Sequence, residues 1–437
     1  MKRTHYTDEL EENVGKEVVV SGWVHDVRLI GGINFLILRD NRGLVQVTAP
    51  KGKVPQKILD VYSKLHQEDV VTVKGGVVKA KNAKVGIEII PSEIEIVNKA
   101  HVPLPLDPRG VVNTNFDTRL DWRVLDLRRN EVQAIFNIQA KLVEGIEEYL
   151  RKNNFLQVFT PSMIGGISEG GSEVFKINHF GKDAFLRQDP QLHREMLIAA
   201  GFDKIFEIGP SWRAEMSDTP RHLTELRSCA VELAFIEDET DTIRVEEEMI
   251  VHAIKKVVDD CEKELGIIGK DIQVPKKPFP ELRFPKIYEI LEELGKKIKF
   301  GEDYDRESES LLGKYVKEKC KSDFFFVNRF PSKTKSFYVM KVDEEPQWAR
   351  SVDLIFKGIE QSSGGQREHR YEKIIQQVKE NKLNPESIKW FTEPFKYGAP
   401  PMGGFCIGLE RFTMQLLDLK NIKEAVLFSR YPGRIQP

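Results

Sequence analysis

Short apolar runs dominate the first hundred residues. Residues 18–20, 35–38, 44–47, 70–73 and 87–90 are rich in Val, Ile and Leu, a composition that suits a pleated, half-buried surface. Turn signals stand between them: Gly31-Gly32, Asn41-Arg42-Gly43 and Gly75-Gly76. A helical pattern over 54–65 precedes the fourth run. Evenly spaced strands with glycine turns predict a small β-barrel, and five strands with a helix before the fourth is the OB-fold order. Periodicity alone leaves a β-sandwich open. Three prolines and a glycine over 103–110 cannot continue a regular element, so the linker falls there. From Glu131 the period changes to helical, with Ile135, Ile138, Leu142, Ile146, Tyr149 and Leu150 on one face. A short strand over 155–160 then stops at Pro161. Strands and helices mix beyond it without regular βαβ alternation.

A chain of 437 residues is too long for one core, and two or three domains are expected. Hydrophobic residues make up 40% and charged residues 31%, which fits a globular protein. No apolar run approaches bilayer-spanning length, and the first residues are polar rather than signal-like. The four cysteines, Cys229, Cys261, Cys320 and Cys406, have no metal-ligand spacing and suit a reducing, cytoplasmic setting. A formal net charge of -2 neither supports nor excludes a nucleic-acid partner. There is no GxGxxG or GxxxxGK[ST] loop, so any ATP is bound without a Rossmann or P-loop device.

Three segments carry candidate chemistry. The first is the long helix and the strand ending at Pro161, which alone is an ordinary amphipathic element. The second is Phe206-Glu207-Ile208-Gly209-Pro210-Ser211-Trp212-Arg213-Ala214-Glu215, followed by a polar loop to Arg221-His222-Leu223. On a strand, Arg213 and Glu215 face the same side. The bland reading is a structural ion pair; the functional one is a phosphate-binding arginine beside an adenine contact. The third is Gly403-Gly404-Phe405-Cys406-Ile407-Gly408-Leu409-Glu410-Arg411. Close glycines let a ligand approach the backbone, and Arg411 supplies a permanent planar cation. A glycine-lined packing contact explains the same residues without a ligand.

In this order and separation the three segments resemble the signature motifs of class II aminoacyl-tRNA synthetases. Arg3-Thr4-His5-Tyr6, Ser168-Glu169-Gly170-Gly171, Gln188-Asp189-Pro190-Gln191-Leu192 and Glu360-Gln361-Ser362-Ser363-Gly364-Gly365-Gln366-Arg367 narrow the likeness to the archaeal-type aspartyl enzymes. The resemblance covers nearly the whole chain. It implies an α+β protein: an OB-fold anticodon-binding barrel over 1–102, a linker over 103–130, and a catalytic domain over 131–437. That catalytic domain is built on a central antiparallel sheet flanked by helices, with an insertion around 240–345.

The resemblance also implies roles. Arg213 and Arg411 would be catalytic, gripping the α- and γ-phosphates of ATP, with Glu215, Arg221, His222, Leu223, Glu360 and Gly408 completing the nucleotide site. Asp353, Glu360 and Ser363 would bind Mg²⁺, whose preference is for hard oxygen ligands. Glu169, Gln191, Arg194, Ser363 and Arg367 would hold L-aspartate. His25, Arg28, Phe35, Gln46 and Lys84 would meet the anticodon, with Phe35 stacking on a base; a barrel-core aromatic is its plain alternative. A homodimer through the helix after Glu131 and the strand that follows it is implied too.

Several positions depart from the aspartyl pattern. Arg194 stands where lysine is usual, Asp189 where serine is, Ala230 where an aspartate supports the pocket, Leu226 where phenylalanine often stacks on adenine, and Met402 where histidine is usual. Aspartate retained with compensating changes is the favoured expectation. The alternatives are a paralogue activating another amino acid or analogue, and a catalytically silent RNA-binding paralogue. His25 and Lys84 follow opposite tendencies, the first relaxed and the second strict, so the asparagine tRNA stays open as a second partner beside the aspartate tRNA.

Overall fold

In the computed structural model the described residues are 1–81, 83, 85–166 and 173–437. They fall into two compact units, Met1–Thr118 and Arg119–Pro437.

The first unit is a closed five-stranded barrel of β1 (Glu17–Ile30), β2 (Ile33–Arg39), β3 (Leu44–Pro50), β4 (Val70–Lys79) and β5 (Ile87–Asn98), ordered β1-β2-β3-β5-β4. Alternation sets the inner face. Val18, Val20 and Val24 of β1 meet Leu36 and Leu38 of β2 and Val45 and Val47 of β3 in the core. Closure comes from parallel pairing of β3 with β5 and antiparallel pairing of β1 with β4. The helix α1 (Gln56–Tyr62) plugs one end: Ile58 and Tyr62 are buried, and the Tyr62 hydroxyl donates to the Val47 carbonyl at 3.0 Å. This is the OB-fold, and the sandwich alternative is excluded.

The second unit is built on an eight-stranded sheet. The long helix α2 (Asn130–Lys152) leads into β6 (Leu156–Gln157). A small three-stranded sheet follows from β7 (Met163–Ile164), β8 (Lys176–His179) and β9 (Lys182–Leu186). Then come α3 (Gln191–Ala199), β10 (Lys204–Trp212), β11 (Glu225–Ala234), α4 (Thr240–Asp260), β12 (Glu281–Arg283), α5 (Arg306–Cys320), β13 (Phe324–Asn328), β14 (Ser351–Phe356), β15 (Ile359–Arg367), β16 (Met402–Gly408) and α6 (Leu409–Leu416). The large sheet runs β12-β13-β14-β15-β16-β11-β10-β6. Its six inner strands pair antiparallel, and its two edge strands join parallel.

The apolar face of α2, with Ile135, Ile138, Leu142, Ile146 and Leu150, packs with α4 against one face of this sheet. The two helices approach closely at Gly145, where a Cβ would stand 2.8 Å from the Ala253 Cα. Cys229, Val231, Phe405 and Ile407 point into that core. Their strand neighbours Ser228, Ala230, Glu232, Gly404 and Cys406 therefore project from the opposite face, where polar chemistry collects. Among the described residues no helix is long and apolar enough to cross a membrane.

Candidate active site

The polar face of the large sheet floors a cavity of about 320 Å³, lined by Gln191, Arg213, Glu215, Arg221, His222, Leu223, Leu226, Glu360, Ser363, Arg367, Gly408 and Arg411 among others. A second cavity of about 440 Å³ shares Arg213, Glu215, Arg221, His222, Glu360, Ser363 and Arg411 and adds Asp353. Arg213 and Arg411, from segments far apart in the chain, thus face one space.

The sequence spacing put Arg213 and Glu215 on a strand, but β10 ends at Trp212 and both lie just past it. The chain stays tethered there, the Arg213 amide donating to the Thr224 carbonyl at 3.0 Å. Nor is Arg213 a buried structural cation: its side chain is 51% exposed, with Glu215 3.8 Å away. Glu215 also stands 3.7 Å from His222 Nε2. Burial lowers the His222 pKa below its ordinary value, and the nearby Glu215 carboxylate opposes that shift.

β15 supplies both ends of the site. Its register against β14 slips at Gln361: Ser362 pairs Leu354 while Glu360 pairs Ile355. The extra residue is a β-bulge, and it puts Glu360 on the same face as Ser363 although they are three apart. Asp353 lies directly across from Ser363. Burial raises the Glu360 carboxyl pKa, and repulsion from Asp353 adds to it. Arg411 Nη1 donates to the Glu360 carbonyl at 3.2 Å. Lys335 Nζ stands 3.4 Å from Asp353 Oδ2, while among the described residues the buried Asp353 Oδ1 has no hydrogen-bond partner.

At the other end, Arg367 donates through Nε and Nη2 to Glu232 Oε1, at 3.2 and 2.8 Å. Gln191 Nε2 donates to the same oxygen at 2.5 Å and to Glu195 Oε1 at 3.0 Å. Burial pushes the Glu195 carboxyl up to about 8. Gly404 is required here: a Cβ on it would collide with the Val231 carbonyl. Arg194 lies behind this wall rather than on it, its Nη2 donating to both Asp189 oxygens at 2.7 and 2.6 Å. Glu169, with its neighbours Ser168, Gly170 and Gly171, lies outside the described residues.

On the barrel, Arg28 pairs across from Phe35, Phe35 from Thr48, and Ile37 from Gln46. These residues share the outer face. Phe35 is half-buried and absent from the core, whose β2 residues are Leu36 and Leu38. Gln46 Nε2 donates to Glu88 Oε2 at 2.9 Å, and Arg28 Nε to Asp26 Oδ2 at 2.8 Å. His25 is the extra residue where β1 slips against β2, and burial lowers its pKa. Lys84 lies outside the described residues.

Two cations on the cavity wall had no place in the sequence reading. Lys335 comes from the loop before β14. Arg306, the first residue of α5, lines the larger cavity with its Nη2 3.4 Å from His222 Nε2. Both sit in the segment between β11 and β14, whose charged residues carry no spacing that separates wall from surface.

The fold and this two-ended cavity match a known class. The model of tRNA synthetases class II (D, K and N) matches residues 115–432, and that of the OB-fold nucleic acid binding domain matches residues 18–97. The chain belongs to the class II tRNA synthetases of the D, K and N group, a family that uses ATP. It is 48% identical to the aspartate–tRNA(Asp) ligase of Pyrococcus furiosus and 43% identical to the aspartate–tRNA(Asp/Asn) ligase of Methanopyrus kandleri, covering 100% of each chain in both comparisons. Its fold is similar to that of asparaginyl-tRNA synthetase from Pyrococcus horikoshii complexed with asparaginyl-adenylate, with a TM-score of 0.92, 30% identity and 100% of both chains covered.

Proposed function

We propose that this chain ligates L-aspartate to tRNA at the expense of ATP, through an aspartyl-adenylate and transfer to the 3′-terminal adenosine. The observation that carries the reading is the shared cavity with Arg213 and Arg411 at one end and Arg367 at the other. Full-length identity to aspartate–tRNA ligases supports the amino acid.

Adenylate formation needs positioning and charge stabilisation more than proton transfer. The α-phosphate lies against Arg213, which neutralises charge that grows as the aspartate α-carboxylate attacks. Glu215 meets the adenine, and Arg221, His222 and Arg411 hold the outer phosphates, with Leu223 and Gly408 shaping the cleft. Arg367 Nη1, which makes no hydrogen bond to Glu232, is placed to take the substrate's side-chain carboxylate. Gln191 orients the amino acid, and Glu169 takes its ammonium. Asp353, Glu360 and Ser363 fit Mg²⁺. They form a hard-oxygen set, and among the described residues Asp353 Oδ1 has no hydrogen-bond partner. A bound Mg²⁺ would neutralise phosphate charge.

The barrel reads the anticodon of the aspartate tRNA with Arg28, Phe35 and Gln46, while His25 and Lys84 bear on whether the asparagine tRNA is also charged. A homodimer is proposed on the edge of the large sheet, where Leu156 of β6 and the nearby Phe159 and Met163 are exposed. Four scattered cysteines without metal-ligand spacing suit a cytoplasmic setting.

Pyrophosphate exchange measured with each amino acid separately tests the reading. Exchange with aspartate is expected. Exchange with a different amino acid alone would replace the substrate, and none at all would leave an RNA-binding protein. Charging of purified aspartate and asparagine tRNAs then measures discrimination.

A further inference from the structure

The amino-acid end of the cavity holds two guanidinium groups, and only one faces the open space. Arg367 is on the wall. Arg194, on α3, is almost wholly buried, its side chain 1% exposed. Its Nη2 is taken by both oxygens of Asp189 and by Gln191 Oε1 at 3.0 Å. Its Nη1 stands 3.8 Å from Glu207 Oε2, and among the described residues its buried Nε has no partner. Asp189, in the loop between β9 and α3, does line the cavity, with a side chain 21% exposed. A carboxylate therefore stands between Arg194 and the ligand space.

Charge bookkeeping gives the consequence. Among the described residues, Arg194 is paired with Asp189 and Arg367 with Glu232, so each cation already faces a protein carboxylate. An entering side-chain carboxylate meets Arg367, already paired to Glu232, and finds the second arginine occupied by a protein carboxylate of the same chemistry.

We propose that Asp189 is a specificity-determining residue: it occupies, on Arg194, the place a ligand's side-chain carboxylate would take, so the acidic side chain is read by Arg367 alone. This rests on the ligase reading given above. Asp189 weakens aspartate binding and narrows the gap between aspartate and its uncharged amide, because that gap depends on net positive charge at the side-chain end.

The test is amino-acid-dependent pyrophosphate exchange by the full chain and its Asp189→Ser variant, with aspartate and with asparagine. Freeing Arg194 should lower the KM for aspartate by about tenfold and widen the preference for aspartate over asparagine by a similar factor. Thermal melting gives an independent readout. The variant, with a buried arginine unpaired, should melt lower than the parent without amino acid, and saturating aspartate should raise its Tm by more than the parent's. Asp189→Asn keeps an acceptor on Arg194 without the charge, and it should move KM in the same direction if the serine variant does not fold. An unchanged or higher KM for aspartate in the folded variants overturns the proposal and makes Asp189 a support for Arg194. Parent exchange with some other amino acid and not aspartate overturns the ligase reading, and this proposal with it.

Discussion

Arg213→Ala removes the guanidinium that faces both cavities while touching little that holds the chain together. The side chain is half exposed, and its nearest carboxylate, Glu215, is 3.8 Å away. Exposed pairs of this kind are worth at most about 1 kcal/mol, and substitutions at such positions change stability by about 0.5 kcal/mol or less. In a unit of this size that moves Tm by no more than about 2 °C. The effect on chemistry is of another order. Loss of one preorganised donor to a developing oxyanion costs about 3 kcal/mol, which is roughly 150-fold in rate. Aspartate-dependent pyrophosphate exchange and a melting curve on the same preparation should therefore separate: activity down by more than two orders of magnitude, Tm almost unmoved. Near-normal exchange would remove Arg213 from the phosphate site. A Tm drop of many degrees would show that its role is structural.

Three further outcomes are expected. Asp353→Asn halves the carboxylate charge of the proposed Mg²⁺ set, so the Mg²⁺ concentration for half-maximal exchange should rise several-fold; an unchanged requirement places the ion elsewhere. Glu195, raised to about 8 by burial, keeps its proton in the folded chain while the unfolded chain loses it at the ordinary carboxyl pKa. Stability from this site is thus full below about pH 4.5 and is lost as pH rises towards 8, so the Tm advantage of Glu195→Gln should be larger at pH 8 than at pH 5, and a pH-independent difference would contradict it. Phe35→Ala should leave pyrophosphate exchange intact and lower kcat/KM for tRNA by about 1–3 kcal/mol of lost stacking; equal losses in both assays would mean that Phe35 supports the fold instead.

The barrel was legible because its core is written locally. Val18 and Val20, Leu36 and Leu38, Val45 and Val47 each repeat at period two, and Gly31-Gly32 marks the turn from β1 to β2, whereas Gly75-Gly76, read as a turn signal, lies inside β4 where its register against β5 shifts. The face of α2 was equally plain from Ile135 to Leu150. What the chain could not show is pairing between distant strands. Ala230 and Ser363 flank Cys406 only because β11 and β15 lie on either side of β16. The bulge at Gln361 has no local signature, so strict alternation would place Glu360 and Ser363 on opposite faces. β10 ends at Trp212, three residues before Glu215, so the strand expected to carry Arg213 and Glu215 stops short of both. Arg194 is the instructive case. Its spacing from Gln191, one helical turn, aims it at the same cavity, and only the tertiary position of Asp189 turns it away from the opening.

Because Glu360 and Arg367 stand near opposite ends of one strand, β15 would work as a ruler between the two proposed substrates. At about 3.3 Å per residue, the acid proposed to meet the nucleotide and the arginine proposed to meet the amino acid stand roughly 20 Å apart along it. Drift at positions such as Asp189, Ala230 and Cys406 can retune which amino acid fits without moving the point where carboxylate and phosphorus meet. Selectivity can therefore wander over generations while the bond-forming geometry stays calibrated.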